Sequence, residues 1–298
     1  MNYYILHHNR VQALMLTIIS SLVITQIASA DGPQKTYNLG SWHVCETTNF
    51  RVFANGNCGR AKAIANTCER ARTTIVTCWT DGASSKTWQP KCDVYVHTSL
   101  SCYSRTLGPS VGRSVGCATT RVDSGRVVQR RIDLRQDAGG WERDALPHEL
   151  THIVLADLFT EVELPRWMDE GMGILLESPR KRAKRLLALT GTSPQLHFTA
   201  EQFFVRRDYP CSSRIHAFYA QSASLVNFLV SLRGGANFVK FAKLSIQSGY
   251  DTALRKIYGI DKVADLEKEW SRHSKNHPTA WVADVRLQIQ PLELESNS

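Results

Sequence analysis

The chain predicts an α+β fold, with a small mixed sheet and one helix first and a mainly helical half after it. Three observations carry the prediction. Short segments that alternate apolar and polar residues lie before residue 140 and not after it. One long stretch among them, 60–78, is rich in Ala and Arg and free of Gly and Pro. From Trp141 onward apolar residues recur at three- and four-residue spacings, the period of a helix with one buried face.

Taken in order, Asn49-Phe-Arg-Val-Phe-Ala54 alternates and reads as a strand, 60–78 as a helix, and Cys92-Asp-Val-Tyr-Val-His97 as a second strand. Gly108, Gly112 and Gly116 mark loops or hairpin bends around Val111 to Cys117. They form no phosphate loop, because no Lys-Ser/Thr pair follows. Arg126 to Leu134 alternates again and is expected as a strand near a cleft, where a sheet edge could hold an extended substrate. Helices are predicted over 142–159, 166–178 and 212–232. The last places Ile215, Phe218, Tyr219, Ser222, Val226 and Leu229 on one face. Shorter helices follow at 235–247, 250–258 and 261–274, then a loosely packed tail. The expected division is 1–30 as a signal segment, 31–140 as a cysteine-rich α/β region, 141–275 as the domain carrying the chemistry, and 276–298 as the tail.

The signal reading rests on Arg10, the only Lys or Arg among the first thirty residues, and on the apolar run Val11 to Ala30. That run ends in Ala28-Ser29-Ala30 before Asp31-Gly32-Pro33, a small-x-small cleavage pattern. Cleavage after Ala30 gives a secreted or periplasmic protein with no further membrane span. An uncleaved anchor is the alternative. All eight cysteines, Cys45, Cys58, Cys68, Cys78, Cys92, Cys102, Cys117 and Cys211, lie beyond that point. An even count in an exported chain points to disulfides, at least three of them, with the pairing left open and buried thiols as the alternative. No Cys-x-x-Cys pair exists, which argues against a cysteine zinc site.

The formal net charge is +9. Such a surface favours an anionic polymer or membrane surface as partner. No nucleic-acid motif accompanies it. Arg180-Lys-Arg-Ala-Lys-Arg185 is the densest basic run and reads as a solvated helical face, or as a grip for an anionic substrate.

The chemistry concentrates in His148-Glu149-Leu150-Thr151-His152. On a helix, residues four apart stand on one face, so the two imidazoles can share one Zn²⁺. Glu149 is turned about 100° from His148 and can instead reach a water on the open side of the metal. A catalytic zinc site needs three protein ligands, and Glu170 is the candidate third. It lies in Leu164-Pro-Arg-Trp-Met-Asp-Glu-Gly-Met-Gly173, whose helix can run back beside the first after a turn over Asp157 to Glu163.

These segments resemble the gluzincin metallopeptidases, in which His-Glu-x-x-His is followed by a Trp-x-x-Glu-Gly helix. Leu146-Pro-His-Glu-Leu-Thr-His, Leu164-Pro-Arg-Trp and Tyr219-Ala-Gln-Ser-Ala-Ser-Leu-Val look closer still to the bacterial peptidase MA-like domains. The likeness covers about residues 140–272. It implies a zincin-like helical half, a Zn²⁺ cofactor, a peptide or protein substrate, and Glu149 as general base. It also implies a donor for the developing oxyanion, for which Tyr219 and His216 are the candidates. The chain has no Gly-x-Met-Glu-Asn exopeptidase motif, which counts against aminopeptidase activity. The competing readings are an inactive zinc-binding module for peptides or polymers on the same scaffold, a two-His-one-carboxylate iron oxygenase, and a disulfide-rich adhesion protein with a structural metal.

Overall fold

The computed structural model describes residues 34–80, 86–112 and 114–283. The expected signal segment therefore lies outside the described residues. The chain builds β1 (Lys35–Leu39), β2 (Trp42–Glu46), β3 (Phe50–Ala54), α1 (Cys58–Thr80), β4 (Cys92–His97), α2 (Leu100–Leu107), β5 (Gly116–Asp123) and β6 (Arg126–Arg135). The helices α3 (Ala145–Leu158), α4 (Arg166–Leu175), α5 (Pro179–Thr190), α6 (Ala200–Val205), α7 (Ile215–Arg233), α8 (Gly235–Ser248), α9 (Tyr250–Tyr258), α10 (Val263–Asn276) and α11 (Ala280–Ala283) follow. The α+β prediction holds, with the sheet first and the helices after it.

The six strands run in the order β1-β2-β3-β4-β6-β5. β3, β4 and β6 are mutually parallel, and the outer pairs are antiparallel. Strand register sets one row of side chains, Cys45, Val52, Val94, Ile132 and Ala118, across the sheet. Its first four members are fully buried. α1 meets this face with Ala61, Ile64, Ala65, Cys68, Ala71, Ile75 and Trp79, spaced three and four apart. Burying each large side chain of that stripe stabilises the fold by roughly 1.5–3 kcal/mol.

The neighbouring row, Phe53, Tyr95 and Asp133, faces the other way. Asp133 is fully buried there, and His97 Nε2 donates to it at 2.7 Å. Arg131 donates to both of its carboxylate oxygens, at 2.6 and 2.8 Å. Burial pushes the Asp133 pKa up, but the Arg131 and His97 hydrogen bonds override it and hold it below the usual value.

β6 packs beside α3, but it is an interior strand and does not line the cleft. The edge on that side is β5, in a stretch whose start the glycine spacing marks as bends. β5 alternates poorly, Gly-Cys-Ala-Thr-Thr-Arg-Val-Asp, and half of it is exposed, so periodicity says little about it. β1 escapes sequence reading for the same reason. It is an exposed opposite edge.

The structure forms none of the expected disulfides: all eight cysteines carry free thiols. Cys45, Cys68 and Cys92 are fully buried in the core, where they pack as small apolar groups. Among the described residues no helix is long and apolar enough to cross a membrane.

In the helical half, α4 packs closely on α7 because position 171 has no side chain. A Cβ on Gly171 would sit 2.7 Å from the Ser222 carbonyl oxygen. Trp167, Met168, Met172 and Ile174 fill the surrounding core. The result is a helix held firmly enough to fix the position of Glu170.

Candidate metal centre

α3 carries His148 and His152 one turn apart, with ring centres 4.9 Å from each other. α4 returns alongside and brings Glu170 to the same point. One ligand atom from each of the three residues lies within 4.8 Å of the others. His148 Nε2 and Glu170 Oε2 are 3.3 Å apart. Tetrahedral bonds of about 2.0–2.2 Å place ligand atoms about 3.3–3.6 Å from each other, so the set is near the dimensions a zinc-like ion requires. Gly173 makes room for the first imidazole, because a Cβ there would approach the His148 ring to 3.1 Å.

A second layer of carboxylates holds the ligands. His152 Nδ1 donates to Asp169 Oδ1 at 2.8 Å, leaving Nε2 free for a metal. His148 Nδ1 lies 3.2 Å from Glu177 Oε1, off the line of a hydrogen bond, and is a buried nitrogen without an aligned partner. A carboxylate thus stands beside that nitrogen for the moment its other side is committed to a metal, which is the arrangement metal-binding histidines use. Glu177 is itself gripped by Arg185, through Nε at 2.7 Å and a terminal nitrogen at 2.5 Å. Tyr209 donates its phenol hydrogen to Glu170 Oε1.

Two imidazoles and a carboxylate, each largely buried at the base of a cleft, suit a divalent metal. The electrostatics agree. Burial lowers the pKa of His148, but Glu170 and Glu177 reverse this and raise it well above the usual value. Burial likewise opposes protonation of His152, and Asp169 raises its pKa to about 9. Against the burial that would raise them, Glu170 falls to about 2 through its hydrogen bond with His148, and Glu177 to about 2 through Arg185. The carboxylates stay ionised and draw positive charge onto the two rings. A metal cation would replace protons there.

Glu149 points off the ligand face, toward β5. A Cβ on Gly116 would stand 2.7 Å from Glu149 Cγ and 2.9 Å from its Oε1. Burial raises the Glu149 pKa, while the two histidines and the Ala118 backbone N–H pull it back. That is the environment of a carboxylate tuned toward base chemistry.

The site opens into a cleft of about 780 Å³ that also includes Tyr209, Tyr219, Lys181 and Arg185. β5 forms its rim from Gly116 to Val122. The strand and α3 run in the same direction. Gly116 faces Glu149, while Thr120 pairs with Arg130, which binds Asp157 near the end of α3.

Of the residues singled out by sequence, His148, His152, Glu170, Glu149 and Tyr219 meet in this cleft. Tyr219 is half-buried, with the Arg185 guanidinium 5.2 Å from its ring centre, and burial lifts its pKa to about 12. His216 does not meet them. It is exposed at the start of α7 and lies outside the cleft lining. It precedes Tyr219 by three residues, about 60° round the helix from it, and points to solvent from the first turn of α7. The basic run is only partly a solvated face. Arg182 is buried and donates to the Leu175 and Glu177 carbonyls, which closes the end of α4. Arg185 turns inward to Glu177.

Sequence reasoning misses Asp169, Glu177, Arg185, Tyr209 and Gly116. Asp169 can be found beside a candidate ligand, and Glu177 as the lone acid before a dense basic run. Tyr209 sits in an aperiodic loop that gives no local signal, and the glycine spacing marks Gly116 only as a bend, not as a neighbour of Glu149.

No curated protein sequence matches the chain. A solved structure of a variant M1 zinc metallopeptidase from Deinococcus radiodurans aligns over 87% of this chain and 52% of that one, at 16% identity and a TM-score of 0.38. The chain thus spans about half the length of that protein. Residues 128–276, from β6 through α10, match the Peptidase MA superfamily. With the His-Glu-x-x-His helix and the returning glutamate inside the matched stretch, the chain belongs to the Peptidase MA superfamily.

Proposed function

We propose that the protein is a zinc-dependent metallopeptidase whose single metal is held by His148, His152 and Glu170, with Glu149 as its general base. The observation that carries the reading is the division of labour on α3. Two imidazoles face Glu170, while the carboxylate between them faces the open cleft under Gly116. Zn²⁺, when bound, would polarise the scissile carbonyl and acidify a water. Glu149 accepts the proton of the attacking water and passes it to the leaving amine as the C–N bond breaks. The Tyr219 phenol, protonated throughout the neutral range, donates to the oxygen that gains charge. The unpaired edge of β5 pairs with the peptide backbone and aligns the bond over Glu149.

Export is part of the proposal. The Ala28-Ser29-Ala30 pattern supports cleavage after Ala30 and release from the cell or into a periplasm. Such a compartment is oxidising, so Cys211 and the partly exposed Cys58, Cys78, Cys102 and Cys117 would meet conditions in which disulfides form. Intact mass of the secreted protein, before and after alkylation, reads both the cleavage site and the thiol count.

The activity is tested by incubating the mature, zinc-loaded protein with a broad peptide library and identifying products by mass spectrometry. Cleavage that vanishes in Glu149→Gln supports the reading. A wild type that binds zinc and peptides but cleaves nothing makes the protein a peptide-binding module instead.

A further inference from the structure

We propose that the cleft end formed by Asp144, Glu177 and α5 receives a carboxylate of the peptide substrate, with Lys181 as its counter-charge. The inference rests on the peptidase reading and adds a substrate class to it: acidic peptides.

α5 carries five cations, Arg180, Lys181, Arg182, Lys184 and Arg185, and no acid. Their surroundings separate them. Arg182 is buried and donates to backbone carbonyls of Leu175, Glu177 and Val282. Arg185 is committed to Glu177. Arg180 and Lys184 are exposed and lie outside the cleft lining. Lys181 is half-buried and lines the cleft.

Among the described residues none of the cleft carboxylates, Asp144, Glu149, Glu163, Asp169, Glu170 and Glu177, forms an ion pair with Lys181. Asp144 accepts from the Ser178 backbone N–H and hydroxyl. Asp169 is held by His152, Glu170 by Tyr209 and His148, Glu177 by Arg185, and Glu163 by Arg166. Among the described residues Lys181 therefore stands in the cleft without an ion pair. A cation left unneutralised in a substrate cleft selects by charge, because an opposite charge is attracted and a like one is repelled.

The other end of the cleft is different in kind. Leu155, Ala156, Phe159, Val162 and Leu164 line it. One end is apolar and the other presents the Lys181 ammonium, with Glu149 between them. From His148 to the first residues of α3 is less than one helical turn, about 5 Å. An extended peptide covers that in about two residues. The carboxylate is thus expected within about three residues of the scissile bond, on one side of it only.

The test uses the mature zinc-loaded protein and quenched fluorescent peptides that differ only in Glu, Gln or Lys at each of three positions on either side of the bond. Each is made with a free and an amidated C-terminus. Glu should exceed Gln by about 5-fold in kcat/KM on one side of the bond, chiefly through KM, as removal of a partly exposed ion pair predicts. Lys181→Glu should abolish that preference and favour Lys, while Lys184→Glu, exposed on the same helix, should leave it intact. A preference seen with free but not amidated ends assigns the site to the chain terminus instead of an acidic side chain. Equal rates for Glu and Gln at all positions, or equal effects of the two lysine variants, overturn the proposal. Affinity of the same peptides for Glu149→Gln protein reads the preference without turnover. A Glu-over-Gln affinity difference with no cleavage by wild type would sink the peptidase reading and keep the carboxylate site.

Discussion

Gly116 and Glu149 belong to different layers of the fold, yet the helix residue packs where the strand residue lacks a side chain: a Cβ at position 116 would come 2.7 Å from Glu149 Cγ. The edge of the sheet thus decides where the candidate base can stand. Gly116→Ala should displace the carboxylate without touching the ligands. The expected result is a folded protein with wild-type zinc content and kcat reduced by about 10-fold or more, since small misplacements of a reacting group cost that much. Zinc lost along with activity would show that the glycine serves the fold instead.

The second layer of carboxylates gives a separate expectation. Asp169→Asn and Glu177→Gln keep the shapes of the side chains but weaken their hold on His152 and His148. Each should weaken zinc binding by about 10–100-fold. Competition against a chelator of known affinity measures it, and unchanged zinc affinity in both would remove these residues from the metal site.

Arg185→Ala acts through Glu177. It leaves a carboxylate that is only 4% exposed without its main partner. Breaking one side of a buried pair is costly, so a loss of about 2–4 kcal/mol is expected in urea unfolding, after a discount for the partly exposed guanidinium. The double variant Arg185→Ala, Glu177→Gln should recover part of that loss, because no unpaired charge then remains.

Asp133 provides a pH signature away from the metal. Its pKa is depressed in the folded protein. A depressed carboxylate contributes stability that is present above its unfolded value, near 4, and is lost as pH falls through the folded value. Asp133→Asn should therefore be destabilised by about 3 kcal/mol at pH 7. The gap to wild type should narrow as pH drops below about 4. A gap that stays constant between pH 7 and pH 3 would contradict the ionic role of Asp133.

Local periodicity makes the metal ligands readable in the amino-acid sequence. Two histidines four apart need only a helix to meet, and Glu170 needs only a second helix that turns back. α1, β3, β4, β6 and the run of helices from α7 to α10 are legible for the same reason: their buried faces repeat at 3.6 or 2 residues. What stays hidden depends on contacts between distant segments. β5 is half-exposed and carries no alternation, so its place at the cleft follows from pairing with β6. Tyr209 reaches Glu170 from a loop 39 residues away. Arg182 and Arg185 look like surface because charge patterning cannot tell a solvated arginine from one that closes a helix end. The even count of cysteines suits disulfides and says nothing of burial, whereas at Cys68 and Cys92 the thiols lie in the core as small apolar groups.

The decisive variant is Glu149→Gln, because a ligand and a base fail in different ways. Removing His152 takes away a donor to the metal, so zinc, local structure and chemistry fall together. Glu149 contributes nothing to the three-atom set that His148, His152 and Glu170 form. Glutamine keeps the size that fits under Gly116 and can still hydrogen-bond a water, but it cannot accept the proton. Loss of a general base typically costs about 10²–10⁴-fold in rate. The variant should fold, bind zinc as wild type does, and hydrolyse peptides at least about 100-fold more slowly. Its KM should change little, since peptide contacts with β5 are untouched. Equal rates for the two proteins would remove Glu149 from the proton path. A raised KM at constant kcat would make it a substrate-binding group, since uniform binding is then what was lost.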